Sequence, residues 1–155
     1  MDARFQTSET VIFKQNRKLF KYRLNMNKQQ KYYKQKLKYE IDSWDLNDSI
    51  NNADNIKIID TRSREAYKNE HIPGAINFPH REMTKETTTG FSKDFLYVCY
   101  CDGIGCNAST KGALNMTKLG FRVKELIGGL EWWKRDGYVT QGLNGISEKN
   151  VNCGC

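Results

Sequence analysis

The apolar positions of this chain fall into short runs that alternate with amphipathic stretches. Four apolar runs bounded by polar residues predict β-strands, at residues 56–60, 75–78, 95–100 and 123–127. Helices are predicted at residues 28–41, in a short segment that ends near residue 52, at 63–70, at 109–119, and in a last segment that follows Gly128-Gly129 and ends at Gly137. Strands that alternate with helices favour a parallel sheet with helices on both faces. The pattern therefore predicts an α/β fold.

The N-terminal part of the sequence is the least readable. Tyr33, Leu37 and Ile41 recur at positions i, i+4 and i+8, which places the first predicted helix. Residues 1–27 show neither a sustained helical period nor a strand alternation, so no element is predicted there. Because Met26 directly precedes the predicted helix, we also consider Met26 as an alternative start of translation.

Length and composition restrict the class of protein. The chain has 155 residues, which agrees with about one domain, and 38% of them are hydrophobic, which disfavours wholesale disorder. No stretch approaches the roughly 20 apolar residues of a membrane span, and the N-terminus lacks the pattern of a secretory signal. Five cysteines are too few for a disulfide-stapled secreted domain. We therefore expect a cytoplasmic protein with free, catalytic or metal-bound thiols.

The net charge of +7 is confined to one end of the chain. Residues 1–40 hold eleven Lys or Arg and three Asp or Glu, whereas the remainder holds 14 basic and 15 acidic residues. We predict a basic N-terminal extension at residues 1–27, solvated or disordered, a domain at 28–140 and a tail at 141–155. Nucleic acid is disfavoured as a partner, although the basic arm leaves that alternative open.

The candidate chemistry lies in the loop after the strand at 95–100. There Cys101 follows the carboxyl end of a buried strand, where sites of open α/β sheets lie. Glycines in the loop let backbone N–H groups turn inward around an anion, and Ser109, the predicted N-cap, begins a helix whose dipole adds positive potential. We therefore expect a lowered pKa and a nucleophilic thiolate at Cys101. The alternative is that Cys101 is a small buried hydrophobe.

These residues and their neighbours form motifs of one known family. The segments Ile58-Ile-Asp-Thr-Arg62, Glu70-His-Ile-Pro-Gly-Ala-Ile-Asn-Phe-Pro79, the cysteine loop and Gly128-Gly-Leu-Glu-Trp-Trp resemble the rhodanese (sulfurtransferase) domain over about residues 32–139. The resemblance implies a doubly wound α/β core of about five parallel strands. It also implies that a persulfide on Cys101 moves sulfane sulfur from a donor such as thiosulfate to a thiol or a protein acceptor. No cofactor and no metal is expected, and the chain is expected to be a monomer or a weak homodimer.

The resemblance assigns a set of candidate site residues. Cys101 is the catalytic residue, Asp60 supports the site, and the substrate-binding or loop residues are Arg62, Asp102, Gly103, Ile104, Gly105, Cys106, Asn107, Ala108 and Ser109. Asp60 and Arg62 form a pair that braces or borders the site, as is the family habit, and direct contact of Arg62 with substrate is the less favoured interpretation. His71 has a structural role rather than a catalytic one.

The loop departs from the common family pattern. Ser109 lies eight residues beyond Cys101, farther than the capping residue lies in the common loop. The longer loop of this chain resembles that of a rhodanese subgroup with Cys-Asp-Gly-x-x-Cys-Asn. The extra cysteine, Cys106, has three open interpretations: it resolves a persulfide as a disulfide, it is itself the nucleophile, or it only packs. No basic residue occurs from 102 to 110, so thiosulfate is expected to bind weakly, with Arg62 or Lys111 as the nearest cations.

Other classes of protein fit less well. A cysteine-based phosphatase needs an Arg clamp on the phosphate oxygens, but positions 107 and 112 are Asn and Gly. The cysteine spacings fit no common zinc finger, and Cys99 is expected to pack in the core. The terminal Cys153-Gly-Cys155 is interpreted as an inert tail, a sulfur acceptor, a metal grip or a redox pair. A catalytically weak binding or regulatory module remains the alternative function.

Overall fold

The computed structural model describes residues 3–146 of the chain, with side chains described from residue 14 onward. Its helices are α1 (Ala3–Tyr39), α2 (Ser43–Asn51), α3 (Arg64–Asn69), α4 (Ala108–Lys118) and α5 (Gly129–Arg135), and a 3-10 helix covers His80–Glu82. Its strands are β1 (Glu40–Ile41), β2 (Ile56–Asp60), β3 (Ile76–Asn77), β4 (Leu96–Tyr100) and β5 (Arg122–Leu126). The four strands predicted from apolar runs are thus confirmed within a residue or two.

The strands form one parallel sheet in the order β1-β5-β4-β2-β3. The central strand β4 pairs with β2, where Ile58 lies opposite Val98, and with β5, where Cys99 lies opposite Glu125. Each connection between parallel neighbours must cross over the sheet, which places helices on its faces. The predicted α/β fold with about five parallel strands is confirmed.

Two apolar clusters cover the two faces of the sheet. One cluster joins strand residues such as Ile58 and Val98 to Leu46 of α2 and Trp133 of α5. The other joins Ile59, Tyr97 and Cys99 to Met116 of α4 and to Phe121. Successive strand residues alternate between these clusters because side chains of a strand point to opposite faces. The helices therefore lie on both sides of the sheet, with α4 on the face that contains Cys99.

The residues at the first helix boundary differ from the prediction. Ile41 belongs to strand β1 and pairs with Leu126, whereas the spacing with Tyr33 and Leu37 predicts a helix there. The helical period fails at this point because Ile41 is buried by a strand neighbour, while Leu37 is exposed. The following helix begins after Asp42, whose carboxylate accepts a hydrogen bond from the backbone N–H of Asp45 at 2.8 Å.

The chain divides into two compact units, Met1–Lys38 and Tyr39–Cys155. The first unit consists of α1, which is 37 residues long and passes through Met26. Leu19, Phe20 and Leu24 are exposed, so the helix buries no apolar face from residue 14 onward within its own unit. A helix without a buried face leaves no hydrophobic period in the sequence, which explains why residues 14–27 carry no readable pattern.

The segment after α5 folds back onto α3. Gln141 forms an antiparallel bridge with His71, and the backbone N–H of Leu143 donates to the carbonyl of Lys68 at 3.0 Å. Thr140 donates its hydroxyl to the Glu70 carboxylate at 2.8 Å. The segment is thus hydrogen-bonded to the C-terminal end of α3 and to the two residues that follow it. None of the helices in the described part of the chain combines the length and the hydropathy that a membrane crossing needs.

Gly112 is the point of closest approach between α4 and the residue that follows β2. A Cβ atom at this position would lie 2.5 Å from Thr61 Cγ2. Alanine normally stabilises a helix interior by about 1 kcal/mol relative to glycine. We predict the opposite sign for Gly112→Ala: a loss of about 1 kcal/mol or more in the free energy of unfolding, measured with urea, because the clash exceeds the gain in helix propensity.

The control for this variant is Gly90→Ala. A Cβ atom at Gly90 would have no heavy atom within 4 Å, and the backbone at this residue is not left-handed. Its unfolding free energy should stay within about 0.5 kcal/mol of the parent chain. Equal unfolding curves for Gly112→Ala and the parent would contradict close packing at α4.

Candidate active site

Strand β4 delivers Cys101 to the carboxyl edge of the sheet. Cys101 directly follows Tyr100, the last residue of β4, and is only 2% exposed. β4 is the middle strand of the five and is paired on both sides, so its end is held by two neighbouring strands. The loop 102–107 then leads into α4, so that the thiol lies between a strand end and the start of a helix.

The contacts of the Cys101 sulfur differ from the predicted ring of amides. Sγ lies 3.1 Å from the carbonyl oxygen of Cys106 and 3.8 Å from that of Gly103. It also lies 3.1 Å from Ser109 Oγ. Carbonyl oxygens accept a hydrogen bond from a thiol and repel a thiolate. The resting loop is therefore arranged around a protonated Cys101.

The pKa of Cys101 is accordingly raised, whereas the sequence predicts a lowered value. Burial is the main cause, and the neighbouring Cys106 thiol adds to it. The backbone N–H of Ser109 acts in the opposite direction, as does its hydroxyl when it donates to the sulfur, but neither outweighs burial. The prediction was wrong because glycine permits either a carbonyl or an amide to face inward, and its identity does not specify which.

Ser109 is not the N-cap that its position predicts. Asn107 occupies that place without a side-chain cap hydrogen bond, and Ser109 is the second residue of α4. Its buried hydroxyl instead donates to Glu125 Oε1 at 2.7 Å, and Thr110 donates to the same oxygen at 2.8 Å. The α4 turn thereby joins the cysteine to a carboxylate on β5.

Sequence reasoning missed Glu125. It lies within the apolar run at 123–127, where a single acidic residue does not disturb the prediction of a strand. The available signal was its parallel register opposite Cys99, which puts it on the same face of the sheet as Cys99 and, two residues on, Cys101. That register is known only once the strand order is known.

Asp60 and Arg62 form the buried ion pair at the base of the site. Arg62 Nη2 lies 2.7 Å from Asp60 Oδ2, and the two side chains are 7% and 0% exposed. Arg62 Nη1 lies 2.8 Å from Asp102 Oδ1, and Nη2 donates to the carbonyl of Glu70 at 2.6 Å. Tyr100 donates its hydroxyl to Asp60 at 2.6 Å. The guanidinium thus ties the ends of β2 and β4 to the first loop residue.

Burial alone would lower the pKa of Arg62, but its hydrogen bonds and charge pairing with Asp60 and Asp102 reverse the direction, so the pKa is raised. Arg62 therefore remains charged, and its charge is directed at two carboxylates. Lys111, the other cation considered for an anionic donor, is exposed on α4.

The base of the loop is also hydrogen-bonded to the first turn of α5. The backbone N–H of Leu130 donates to the Cys101 carbonyl at 2.9 Å, and that of Glu131 donates to the Asp102 carbonyl at 2.8 Å. Gly129 has a φ of +57°, and a Cβ there would lie 2.3 Å from the Cys101 oxygen. Only glycine accommodates both the left-handed backbone and this approach. The Gly128-Gly129 pair of the sequence is thus part of the cysteine site.

The remaining loop residues differ in their exposure. Ile104 is 70% exposed at the tip, Gly105 and Asn107 are exposed, Ala108 begins α4, and Cys106 is half-buried. Gly103 packs against the Glu131 side chain. The tip is therefore open to solvent while the base is held.

Cys99 has the packing role that the sequence predicts. It is fully buried in the cluster with Met116, and burial raises the pKa of its thiol. Among the described residues no group of three His, Cys, Asp or Glu side chains is arranged to hold a metal ion. Cys153 and Cys155 lie outside the described residues, so the interpretations of these two cysteines stay predictions.

We predict that Arg62→Met destabilises the protein by about 3–5 kcal/mol, because it leaves the Asp60 charge buried without its partner. Urea unfolding measures the loss. The matched control is Arg64→Met, which breaks an ion pair with Glu82 whose side chains are 63% and 44% exposed, and should cost less than about 1 kcal/mol. Similar losses in both variants would contradict the structural role of Arg62.

The raised pKa of Cys101 predicts slow alkylation at neutral pH. In a Cys106→Ser background, the rate of Cys101 labelling by iodoacetamide should rise with pH and reach half its plateau above the ordinary thiol value of about 8.5. Peptide mass spectrometry assigns the label to Cys101, and a cysteine peptide gives the reference curve. A midpoint below that of the peptide would show that the resting site stabilises a thiolate.

Comparisons with known proteins agree with this geometry. The family model of the rhodanese-like domain matches residues 44–136. The BH2092 protein from Bacillus halodurans is a solved structure with 42% sequence identity and a TM-score of 0.73, and the match covers 77% of this chain and 88% of that one. A rhodanese-like domain from Anabaena sp. is 27% identical with a TM-score of 0.58, over 72% of this chain and 89% of that one.

Two further matches cover smaller shares of the matched proteins. A thiosulfate sulfurtransferase from Pseudomonas aeruginosa is 17% identical with a TM-score of 0.59, over 74% of this chain and 22% of that chain. An HTH-type transcriptional regulator from Mycobacterium tuberculosis is 32% identical over 85 residues, which are 55% of this chain and 37% of that protein. The chain thus spans little more than a third of this curated relative. Because the family model covers more than half of the sequence and the parallel sheet is that of its structural neighbours, the chain belongs to the rhodanese-like domain family.

Proposed function

We propose that this protein is a sulfurtransferase that carries sulfane sulfur as a persulfide on Cys101. The observation that supports this proposal is the placement of a buried cysteine at the carboxyl end of the central strand, inside a loop whose base is held by Arg62 and α5. Membership of the rhodanese-like family supports sulfur transfer as the general chemistry.

The proposed reaction has two displacement steps. The Cys101 thiol first loses its proton to solvent, and the thiolate attacks the outer sulfur of thiosulfate. A new S–S bond forms on Cys101, the S–S bond of thiosulfate breaks, and sulfite leaves with the electron pair. An acceptor thiolate then attacks the outer sulfur of the persulfide, and Cys101 is released as a thiolate. The two steps together transfer one sulfur atom without a net oxidant.

The charges around the loop favour a donor that binds without a strong cation. Residues 102–110 contain no Lys or Arg. Arg62 is hydrogen-bonded to Asp60 and Asp102, which offset its charge. Thiosulfate carries two negative charges, so we expect it to be a working but weak donor, with Lys111 as the nearest exposed cation of α4.

Intact-protein mass spectrometry tests the proposal directly. Treatment of the parent chain with thiosulfate or with cysteine persulfide, followed by desalting, should add about 32 Da for one sulfur atom. We predict that Cys101→Ser abolishes this gain and that Cys106→Ser retains it. Cyanide should remove the sulfur again from the loaded protein.

The two cysteine variants also decide between the interpretations of Cys106. Loss of the added sulfur only in Cys106→Ser would move the nucleophile to Cys106. A loss of about 2 Da after loading of the parent chain, absent in Cys106→Ser, would identify Cys106 as the residue that resolves the persulfide as a disulfide. If neither donor adds sulfur to the folded parent chain, the sulfurtransferase proposal fails and the binding or regulatory module is favoured.

A further inference from the structure

A hydrogen-bonded chain runs from the nucleophile to a carboxylate that the family motifs do not include. Cys101 Sγ lies 3.1 Å from Ser109 Oγ, and Ser109 Oγ lies 2.7 Å from Glu125 Oε1. The three residues come from the end of β4, the first turn of α4 and the middle of β5. Cys101 and Ser109 are buried, and Glu125 is half-buried.

The number of protons available to these three side chains determines which atom donates in each hydrogen bond. A serine hydroxyl has one proton to donate, and a carboxylate has none. Because Glu125 accepts from Ser109, the hydroxyl proton points away from Cys101, and Ser109 presents a lone pair to the sulfur. The contact between Sγ and the Ser109 hydroxyl then depends on the thiol proton, which the Cys106 carbonyl also accepts. A Cys101 thiolate would lose this contact unless the hydroxyl turned away from Glu125.

We propose that Glu125 is a positioning residue that holds the Ser109 hydroxyl as an acceptor toward Cys101 and thereby keeps the resting nucleophile protonated. Thr110 strengthens this arrangement, since it donates to the same carboxylate oxygen and holds Glu125 in place. The inference rests on the proposed function only in taking Cys101 as the nucleophile.

Thiolate formation has a defined rearrangement in this scheme. The thiol proton leaves to solvent, the Ser109 hydroxyl rotates to donate to the sulfur, and the Glu125 carboxylate keeps only the hydrogen bond from Thr110. The thiolate also faces the negative charge of Glu125. Both effects disfavour the thiolate. A neutral Gln at residue 125 removes the charge, and its amide oxygen accepts a weaker hydrogen bond from Ser109 than a carboxylate does, so the hold on the hydroxyl weakens.

The persulfide is affected less than the thiolate. A persulfide carries its charge on the outer sulfur, about 2 Å beyond Sγ. Its inner sulfur has no proton and no charge, so the Ser109 hydroxyl keeps its hydrogen bond to Glu125 when Cys101 carries the outer sulfur. Glu125 therefore disfavours the empty thiolate more than the sulfur-loaded form of Cys101.

Other titratable groups near the Cys101–Ser109–Glu125 hydrogen bonds define the controls. They are Cys106 in the loop, Cys99 on β4, Glu40 opposite Glu125 in the β1–β5 register, and Glu131 of α5 against Gly103. The Ser109 hydroxyl donates its hydrogen bond to the Glu125 carboxylate. Glu131→Gln removes an equal charge on the other side of the loop and is the matched control.

The test is the pH dependence of Cys101 alkylation in the full chain with Cys106→Ser. We expect Glu125→Gln to lower the apparent pKa of Cys101 by about one unit. At neutral pH the labelling rate should rise roughly three- to fourfold, less than the gain in thiolate because a weaker base is a weaker nucleophile. Glu131→Gln should shift the midpoint by less than half as much.

A second comparison separates the positioning of Ser109 from the charge of Glu125. In a Ser109→Ala background there is no hydroxyl to position, so Glu125→Gln should shift the pKa by less than half of its shift in the parent. Equal shifts in both backgrounds would overturn the positioning role. An unchanged or higher pKa in Glu125→Gln alone would overturn the whole inference.

Loss of the fold is recognised within the same experiment. Cys99 is fully buried and stays unlabelled as long as the sheet is intact, so labelling of Cys99 identifies an unfolded variant. If Glu125→Gln unfolds, Glu125→Asp replaces it, since Asp keeps the charge but its shorter side chain does not reach Ser109. This variant should also lower the pH midpoint of Cys101 alkylation. Alkylation requires no sulfur transfer, so a parent chain that fails to take up sulfur refutes the proposed function and leaves this test valid.

Discussion

The buried pair of Asp60 and Arg62 is the contact on which the geometry of the site depends. Burying a guanidinium to 7% exposure is unfavourable unless its N–H groups find acceptors. Here the carboxylates of Asp60 and Asp102 and the carbonyl of Glu70 accept from Arg62. The pair joins the end of β2 to Asp102, the residue after the cysteine. Charge pairing, rather than apolar packing, therefore fixes where the loop begins.

The loop and the sulfur are controlled by different groups. Arg62 and the amides of α5 hold the backbone of Cys101 and Asp102, while Ser109 and Glu125 determine the environment of the sulfur atom. No buried side-chain nitrogen or oxygen of the described residues lacks a hydrogen-bond partner. A fully satisfied network of this kind favours a single arrangement, because an alternative would leave a buried polar group unpaired.

The sequence predicts the sheet because its strands are buried on both faces. Runs such as 56–60 and 95–100 therefore appear as continuous apolar stretches. Strand β1 has only two residues, too few for a pattern, and the spacing of Ile41 with Leu37 continues the preceding helix. Residues 14–27 of helix α1 leave no period because they have no buried face within their own unit.

The site is predicted less completely than the fold. The position of Cys101 follows from the strand and loop pattern, and the partnership of Asp60 with Arg62 follows from the family motif. The raised pKa of Cys101 does not follow from the sequence, since the orientation of the peptide groups around glycines is a tertiary property. Glu125 was missed for a related reason: its contact with Ser109 depends on how α4 lies across β5, which no local pattern specifies.

The loop divides into a base held by hydrogen bonds and a tip that faces solvent. Asp102 is tied to Arg62 and α5, whereas Ile104 is 70% exposed and a side chain at Gly105 would meet open space. A side chain substituted at either position extends into solvent rather than toward the base of the loop. Under the proposed function, single changes at positions 104 and 105 would alter the surface that a sulfur acceptor meets, while Cys101 and the residues that support it stay the same.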